Sequence, residues 1–463
     1  MGTMKVPEDA LWGATTQRAV ENFPVSGRPI PREMIAAFGH LKAACAKVNR
    51  DLGKLPEDKA AAIIAASEEI ARGEHDRHFP IDVFQTGSGT SSNMNANEVI
   101  ANLASRRAGR PIGSFEPIHP NDHANMGQSS NDTFPTAMHV AAAVAISRDL
   151  VPALEKLQKR LARQAKDWDA VVKIGRTHLM DATPIRMGQV FSGYASQAEH
   201  AVERARRAVT ALGELAIGGT AVGTGINTHV EFGARVSAEL SERLGVPFRE
   251  ASNHFEAQAA KDAYVEASGE MKAIAVGLSK IASDIRLLGS GPRCGIFELM
   301  LPAVQPGSSI MPGKVNPVIC ESMIQVAAQV IGNDAALTYG GFGGVGSLLE
   351  LNVAMPLMAE RMMDSIHLLA RASHMFVDNL LDGLEVNKER CEALIDQSLM
   401  MVTSLAPEIG YENAAKAAKE AFASGKTIRE LALEKKLMSA ERLKELLDPM
   451  SMTKPGGKGP GGG

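Results

Sequence analysis

The stretch MKAIAVGLSKIASDIRLL, residues 271–288, places Met271, Ile274, Leu278, Ile281, Ile285 and Leu288 at spacings of 3, 4, 3, 4 and 3. Residues three and four apart share one face of an α-helix, so the spacing predicts a long helix with one apolar seam. Two further stretches repeat the pattern. Leu150, Leu154, Leu157 and Leu161 recur at 4, 3 and 4, and Met362, Ile366, Leu369, Ser373, Phe376 and Leu380 at 4, 3, 4, 3 and 4. Residues 187–212 and 317–337 are Ala- and Gln-rich with no Pro after Pro317 at the start of the second, and predict two more. At 1.5 Å per residue such helices form a bundle about 40 Å long. Their apolar faces are too wide for one chain to cover, which predicts a core shared among copies of the chain.

Composition agrees with a mainly helical protein. Aromatics make up 4% of the 463 residues, while Met reaches 22. A β-sandwich leans on aromatic and β-branched residues, whereas Ala, Leu and Met favour helices. The length exceeds the ~250–300 residues at which a single core stops growing. The texture of the chain predicts three segments. Residues 1–128 read as a mixed, mostly helical N-terminal domain of short helices and polar stretches, and 129–384 as the central helical bundle. Residues 385–463 read as a small C-terminal domain with helices at 387–397, 412–423, 427–435 and 439–447, ending in a disordered tail, KPGGKGPGGG.

Charge and motif content exclude several functions. With 49 basic and 53 acidic residues the net charge is −4, which offers no basic field for nucleic acid. The longest uncharged runs, such as 133–147, stop short of a membrane span. The start, MGTMKVPEDALWG, resembles neither a signal nor a transit peptide. Cys45, Cys294, Cys320 and Cys391 are scattered, the pattern of reduced thiols in a cytoplasmic protein.

Four polar, Gly-punctuated stretches concentrate hydroxyls, amides and single cationic or imidazole groups. They are QTGSGTSSNMNANE (85–98), HPNDHANMGQSSND (119–132), GRTHLMDATP (175–184) and PGSSIMPGKVNP (306–317). That inventory suits a small anion bound through many donors. Other patterns are decoys. Gly341, Gly343 and Gly346 spell GxGxxG but follow a helical segment, where a dinucleotide loop follows a strand. GSSIMPGK has five residues between Gly307 and Gly313, one too many for a P-loop, and Val315 replaces its Ser or Thr. The pairs His119/His123 and His75/His78 lack an HExxH context, and Pro120-Asn121-Asp122 reads as a turn, so no metal is expected.

GSSIMPGKVNP resembles the signature loop of the aspartase/fumarase superfamily, and the other three stretches match its remaining site segments in order. GRTHLMDATP, GGTAVGTGIN (218–227) and HFEAQAAKDA (254–263) resemble class II fumarases in particular, and the likeness spans essentially the whole chain. It implies a three-domain fold around a long-helix bundle, a homotetramer whose subunits share each site, and reversible anti addition of water to fumarate without metal or organic cofactor. Ser308 then matches the base that removes the C3 proton, and His178 the histidine that handles the leaving water. Glu321 matches the carboxylate paired with that histidine. Lys314 and Asn316 hold the carboxylate that becomes a dianion, and Ser88, Thr90, Ser129, Ser130, Asn131 and Thr177 hold the rest of the dicarboxylate. An auxiliary anion site falls on His119, Asn121 and Asp122. The paired Pro-Gly steps at 306–307 and 312–313 predict a loop that closes over substrate.

Two rival functions share some of these features. Aspartate ammonia-lyases have the same loop, and VNPVI leans towards them, but His178 stands where they usually carry Gln and Ser130 where they tend to carry Thr. A non-catalytic structural homologue is disfavoured by the joint presence of Ser308, Lys314, Asn316 and His178.

Overall fold

The computed structural model describes residues 3–455. Helices account for most of the chain. They begin with α1 (Ala14–Asn22), α2 (Arg32–Asp51), α3 (Glu57–Arg72), α4 (Thr90–Arg107), α5 (Ser130–Ala145) and α6 (Val151–Asp167). A hairpin of β1 (Val172–Thr177) and β2 (Met180–Arg186) follows, then α7 (Met187–Ala211), β3 (Glu214–Leu215), α8 (Phe232–Leu244), β4 (Arg249–Glu250) and α9 (His254–Ala259). The chain continues through α10 (Asp262–Leu288), β5 (Leu299–Met300), α11 (Val318–Gly341), β6 (Ser347–Leu348), β7 (Leu351–Asn352) and α12 (Met355–Asn379). It ends with β8 (Glu385–Val386), α13 (Lys388–Gln397), α14 (Ala406–Ile409), α15 (Tyr411–Ser424), α16 (Ile428–Glu434) and α17 (Ala440–Leu446). The strands only pair off: β1 with β2, β3 with β4, β5 with β8 and β6 with β7.

The apolar seams are where their spacing placed them. Met271, Ile274, Leu278, Ile281 and Ile285 of α10 are buried, as are Leu154, Leu157 and Leu161 of α6. Met362, Ile366, Leu369, Ser373 and Phe376 of α12 are buried too. The outer faces are less covered: Val276, Ile331 and Tyr339 stay exposed within the single chain. The helical run Ser130–Asp167 includes an 18-residue window long and apolar enough to cross a membrane, one that tolerates the charges flanking the uncharged run at 133–147. Most of that window is buried inside the protein, the pattern of a core helix.

The chain divides into two compact units. The first comprises the chain up to Ala153, Ala201–Val276 and Gln325–Arg371; the second comprises Leu154–His200, Gly277–Ile324 and the chain from Ala372 onward. In the first unit α10, α11 and α12 are stapled by polar contacts. Asp334 on α11 accepts from Ser268 Oγ at 2.7 Å and Lys272 Nζ at 2.6 Å on α10, and Asn333 Nδ2 donates to Asp364 on α12 at 2.9 Å. In the second unit the small C-terminal helices close their own core, with Leu405, Ala421, Leu431 and Leu443 among its members. Cys45, Cys320 and Cys391 are buried thiols and Cys294 an exposed one.

Three local expectations are corrected. The N-terminal helices are not short: α2 runs 20 residues and α4 runs 18. The polar stretch 85–98 becomes helix from Thr90, because its amides find partners inside the protein. Asn93 and Asn97 donate to Asn125 Oδ1, and Asn95 to the His78 carbonyl. Residues 120–124 form one turn of π-helix in place of the simple turn. The expected tail from Lys454 lies, for residues 456–463, outside the described residues.

The α2–α3 pair depends on Gly39, where an added Cβ would lie 2.6 Å from the Ser67 carbonyl oxygen and from the Ala71 amide nitrogen. Backbone cannot give way as a side-chain tip can. Gly39→Ala should therefore cost about 1–3 kcal/mol, read as a lower thermal unfolding midpoint at fixed protein concentration. An unchanged midpoint would mean that the two helices separate freely.

Candidate active site

In the first unit two helices start at one place. Thr90 is the first residue of α4 and Ser130 the first of α5, and their hydroxyl oxygens lie 2.7 Å apart. Ser88 Oγ stands 2.8 Å from Thr90 Oγ1, which makes a chain of three hydroxyls. Each helix start leaves backbone N–H groups unused by the helix and carries the positive end of its dipole, so the junction is suited to an anion. The approach requires glycine. Gly89 has φ of +72°, and a Cβ there would sit 1.9 Å from the Phe134 ring on α5. Ser129 caps α5, its Oγ accepting from Asn131 N–H at 3.3 Å, while Asn131 Nδ2 donates to the Ala221 carbonyl at 2.8 Å. Sequence reasoning groups these five residues, and the structure brings Ser88, Thr90 and Ser130 into contact with Ser129 and Asn131 alongside.

Beneath this cluster lie groups that motif reading missed. Asp132 is fully buried and accepts from Ser129 N–H at 2.9 Å, Thr220 N–H at 2.9 Å and Gly218 N–H at 3.2 Å. Burial pushes its carboxyl up to about 7, against the pull of those N–H groups and of Lys42. Lys42, also fully buried, donates to Asn125 Oδ1 at 3.1 Å and Gln128 Oε1 at 2.9 Å, and burial pulls it down to about 8. Together they tie the loop before α5 to α2 and to the segment 218–220. The sequence signals for this support are a lysine amid the apolar positions of α2 and the capping-box spacing of Ser129 and Asp132.

Thr177, His178, Ser308, Lys314, Asn316 and Glu321 belong to the second unit. GRTHLMDATP is a β-hairpin, in which Thr177 pairs with Met180 across a two-residue turn. The turn residues are His178 and Leu179, with φ of +55° and +64°. Two-residue hairpins of this twist need positive φ at both positions, normally Asn-Gly. Thr177 and His178 are exposed at the tip. The signature loop is closed at its base: Gly307 N–H donates to the Lys314 carbonyl at 2.8 Å, and Asn316 Nδ2 to the Gly307 carbonyl at 2.6 Å. A Cβ at Gly307 would lie 2.2 Å from the Lys314 carbonyl oxygen. Ser308 Oγ accepts from Ile310 N–H at 3.2 Å and Met311 N–H at 3.0 Å. Two donors on one hydroxyl oxygen favour its alkoxide, as a serine base requires. Lys314 is exposed, and Glu321 sits in the first turn of α11. Among the described residues, no hydrogen bond or ion pair within the chain engages the side chains of His178, Lys314 or Glu321.

Other candidates resolve as follows. His119 Nδ1 accepts from Asp122 N–H at 3.2 Å and faces the Asp122 carboxylate at the same distance, with Asn121 exposed between them. His123 meets Lys59 Nζ at 2.7 Å, and burial and that ammonium lower its pKa. The ligand atoms of Glu69, Glu74 and His75 lie within 4.8 Å of one another. Each carboxylate there already meets an arginine, Arg107 on Glu69 and Arg72 on Glu74. A cavity of about 480 Å³ beside His139 and Lys261 lies away from the hydroxyl cluster. Lys261 Nζ is committed there to the carbonyls of Ala257, Gln258 and Ala260, closing the end of α9.

Comparison with known proteins supplies the family. A lyase family model matches residues 2–332 and a fumarase C C-terminus model matches residues 401–454. A class II fumarate hydratase of Corynebacterium glutamicum is 57% identical over 446 residues, 96% of this chain and 92% of that protein. One from Mycobacterium tuberculosis is 55% identical over 459 residues, 98% of this chain and 95% of that protein. The crystal structure of class II fumarase from Schistosoma mansoni is similar with a TM-score of 0.92 and 38% identity, covering 97% of both chains. That of a fumarate lyase:delta crystallin from Brucella melitensis bound to cobalt gives a TM-score of 0.93 and 44% identity, again over 97% of both. The chain belongs to the class II fumarate hydratase family.

Asp132 makes a testable contribution to stability. Its pKa is raised on folding from 3.8 to about 7. The contribution is therefore complete below the lower value and is lost as pH rises towards the upper one. Asp132→Asn should lower the unfolding midpoint, since one amide cannot accept from all three N–H groups. Its deficit relative to the parent should shrink between about pH 4 and pH 7. A deficit that grows over that window would show the carboxylate to be the favoured buried form.

Proposed function

We propose that the protein hydrates fumarate reversibly to L-malate. The match to class II fumarate hydratases along 96% of the chain carries this reading. The chemistry follows from the substrate. Removing the C3 proton of malate places two negative charges on the neighbouring carboxylate, and the C2 hydroxyl then leaves with a proton as water. Ser308 takes the C3 proton; its two backbone donors support the reading. Lys314 and Asn316 meet the aci-carboxylate, and Ser88, Thr90, Ser129, Ser130, Asn131 and Thr177 hold the remainder of the dicarboxylate. His178, with Glu321 as its paired carboxylate, supplies the proton to the leaving hydroxyl. Neither metal nor organic cofactor enters this scheme.

The site is completed between copies in a homotetramer. The exposed apolar positions on α10 and α11 support a partner there, and so does the exposed hairpin tip, where Leu179 and Met180 stand open. Within this proposal the segments 1–128, 129–384 and 385–463 are the functional divisions of each subunit, and the signature loop closes over substrate. His119, Asn121 and Asp122 form an auxiliary anion site at the subunit surface. The protein works in the cytoplasm, where its free thiols stay reduced.

Purified protein should generate fumarate's ultraviolet absorbance from L-malate and none from L-aspartate; activity with aspartate alone would make it an ammonia-lyase. Ser308→Ala should lower turnover on the order of 10²–10⁴-fold, the range of general acid–base catalysis, with an unchanged size on gel filtration. Near-parent turnover would remove Ser308 from the base role. His178→Asn should also lower turnover, and an unaltered rate would leave His178 structural.

A further inference from the structure

The hairpin that presents Thr177 and His178 is built against its backbone preferences. Neither His178 nor Leu179 is a glycine, yet both hold positive φ, a strained conformation that persists only where the surroundings over-determine it. A two-residue turn of this twist demands that conformation at both positions, so whatever fixes the strands at the root of the hairpin also fixes the tip.

Glu298 stands at that root with no solvent exposure. Its carboxylate meets Lys173 Nζ at 3.0 Å, and Arg176 Nη1 donates to both its oxygens, at 3.0 and 3.1 Å. Both cations are on β1. Side chains three apart on a regular strand face opposite ways. Here the pairing register shifts between Ile174 and Arg176, and the irregularity lets both side chains reach one carboxylate. The intervening Gly175 admits no side chain, since a Cβ would lie 2.5 Å from the Thr183 carbonyl oxygen on β2. Glu298 is anchored in turn. Its N–H donates to the Leu288 carbonyl at the end of α10, its carbonyl accepts from Asn387 N–H, and Arg390 holds the carbonyls of Gly295 and Ile296.

A buried ion cluster is a poor means of gaining stability, because apolar residues of similar volume often serve as well. Directional contacts do fix a register, and Arg176 is adjacent to Thr177 and two residues from His178. We propose that Glu298 is a positioning residue for the hydration reaction. By gripping Lys173 and Arg176 it sets the bulge in β1 and so the attitude of the His178 imidazole at the hairpin tip. The inference rests on the reading of His178 as a proton-transfer group.

A double-mutant cycle on the full-length protein tests it. Glu298→Gln keeps the shape and removes the charge; it should lower kcat for malate dehydration on the order of 10²-fold, the effect of roughly 1 Å of misplacement, with KM little changed. His178→Asn lowers kcat by itself, and the combined variant should be no slower than His178→Asn alone. Losses that multiply in the combined variant, or a parent-like kcat for Glu298→Gln, would overturn the positioning role. If Glu298→Gln fails to fold by circular dichroism and gel filtration, Arg176→Lys takes its place in the cycle, keeping the charge but replacing the guanidinium. Non-multiplying losses then support the positioning role, and multiplying losses or a parent-like kcat overturn it. Parent protein without hydratase activity refutes the functional reading itself. An active parent with an unimpaired His178→Asn refutes the role of His178, and with it this inference.

Discussion

The convergence of two helix N-termini is the constraint on which the first unit depends. α4 and α5 begin within hydrogen-bonding distance of each other, and that approach exists because Gly89 leaves room for the Phe134 ring. Two positive dipole ends so placed repel one another unless something negative or acceptor-rich is set among them. Asp132 does part of this from within, accepting three backbone N–H groups from Ser129, Gly218 and Thr220. The solvent-facing side is left with hydroxyls and with N–H groups that the helices do not use. Such a junction suits an anion, and the net charge of −4 is no obstacle because the donors are local.

The second unit solves a different problem. Its expected site groups sit on an exposed hairpin tip and a Gly-closed loop. Both are short structures whose geometry has to be imposed. In the loop, the Gly307–Lys314 backbone contact and the Asn316 amide close the base, leaving Ser308 Oγ facing two N–H donors. In the hairpin, the grip of Glu298 on Lys173 and Arg176 plays the same part. Asn316, which sequence reading assigns to substrate, already spends one Nδ2 hydrogen on the loop, while Lys314 stays exposed.

Much of this is legible in the sequence because it follows from periodicity. The seam of α10 can be read from 271 to 288 since burial on one face leaves a 3-4 spacing in the sequence. The helices 187–212 and 317–337 are likewise bounded within a few residues, and so are the small C-terminal ones. The hydroxyl and amide residues stand out because Gly, Ser and Asn cluster where the chain packs closely on itself, as at Gly89 and Gly307. What escapes is whatever lacks a period. The β1–β2 hairpin carries a bulge and a His-Leu turn, so neither alternation nor turn chemistry marks it. The Asn-rich start of α4 reads as loop, since the amides that stabilise it bond to Asn125 and His78, distant in sequence.

The amino-acid order therefore determined the helical class, the seams and the set of polar residues available to a substrate, because each leaves a local pattern of spacing or composition. Tertiary structure decided the rest. That Thr90 touches Ser130, that Lys42 and Asp132 lie beneath them, and that Lys173 and Arg176 share Glu298 all depend on segments tens to more than a hundred residues apart. Contacts of that kind are set by packing geometry and by the need to satisfy buried charges. No local sequence rule encodes them.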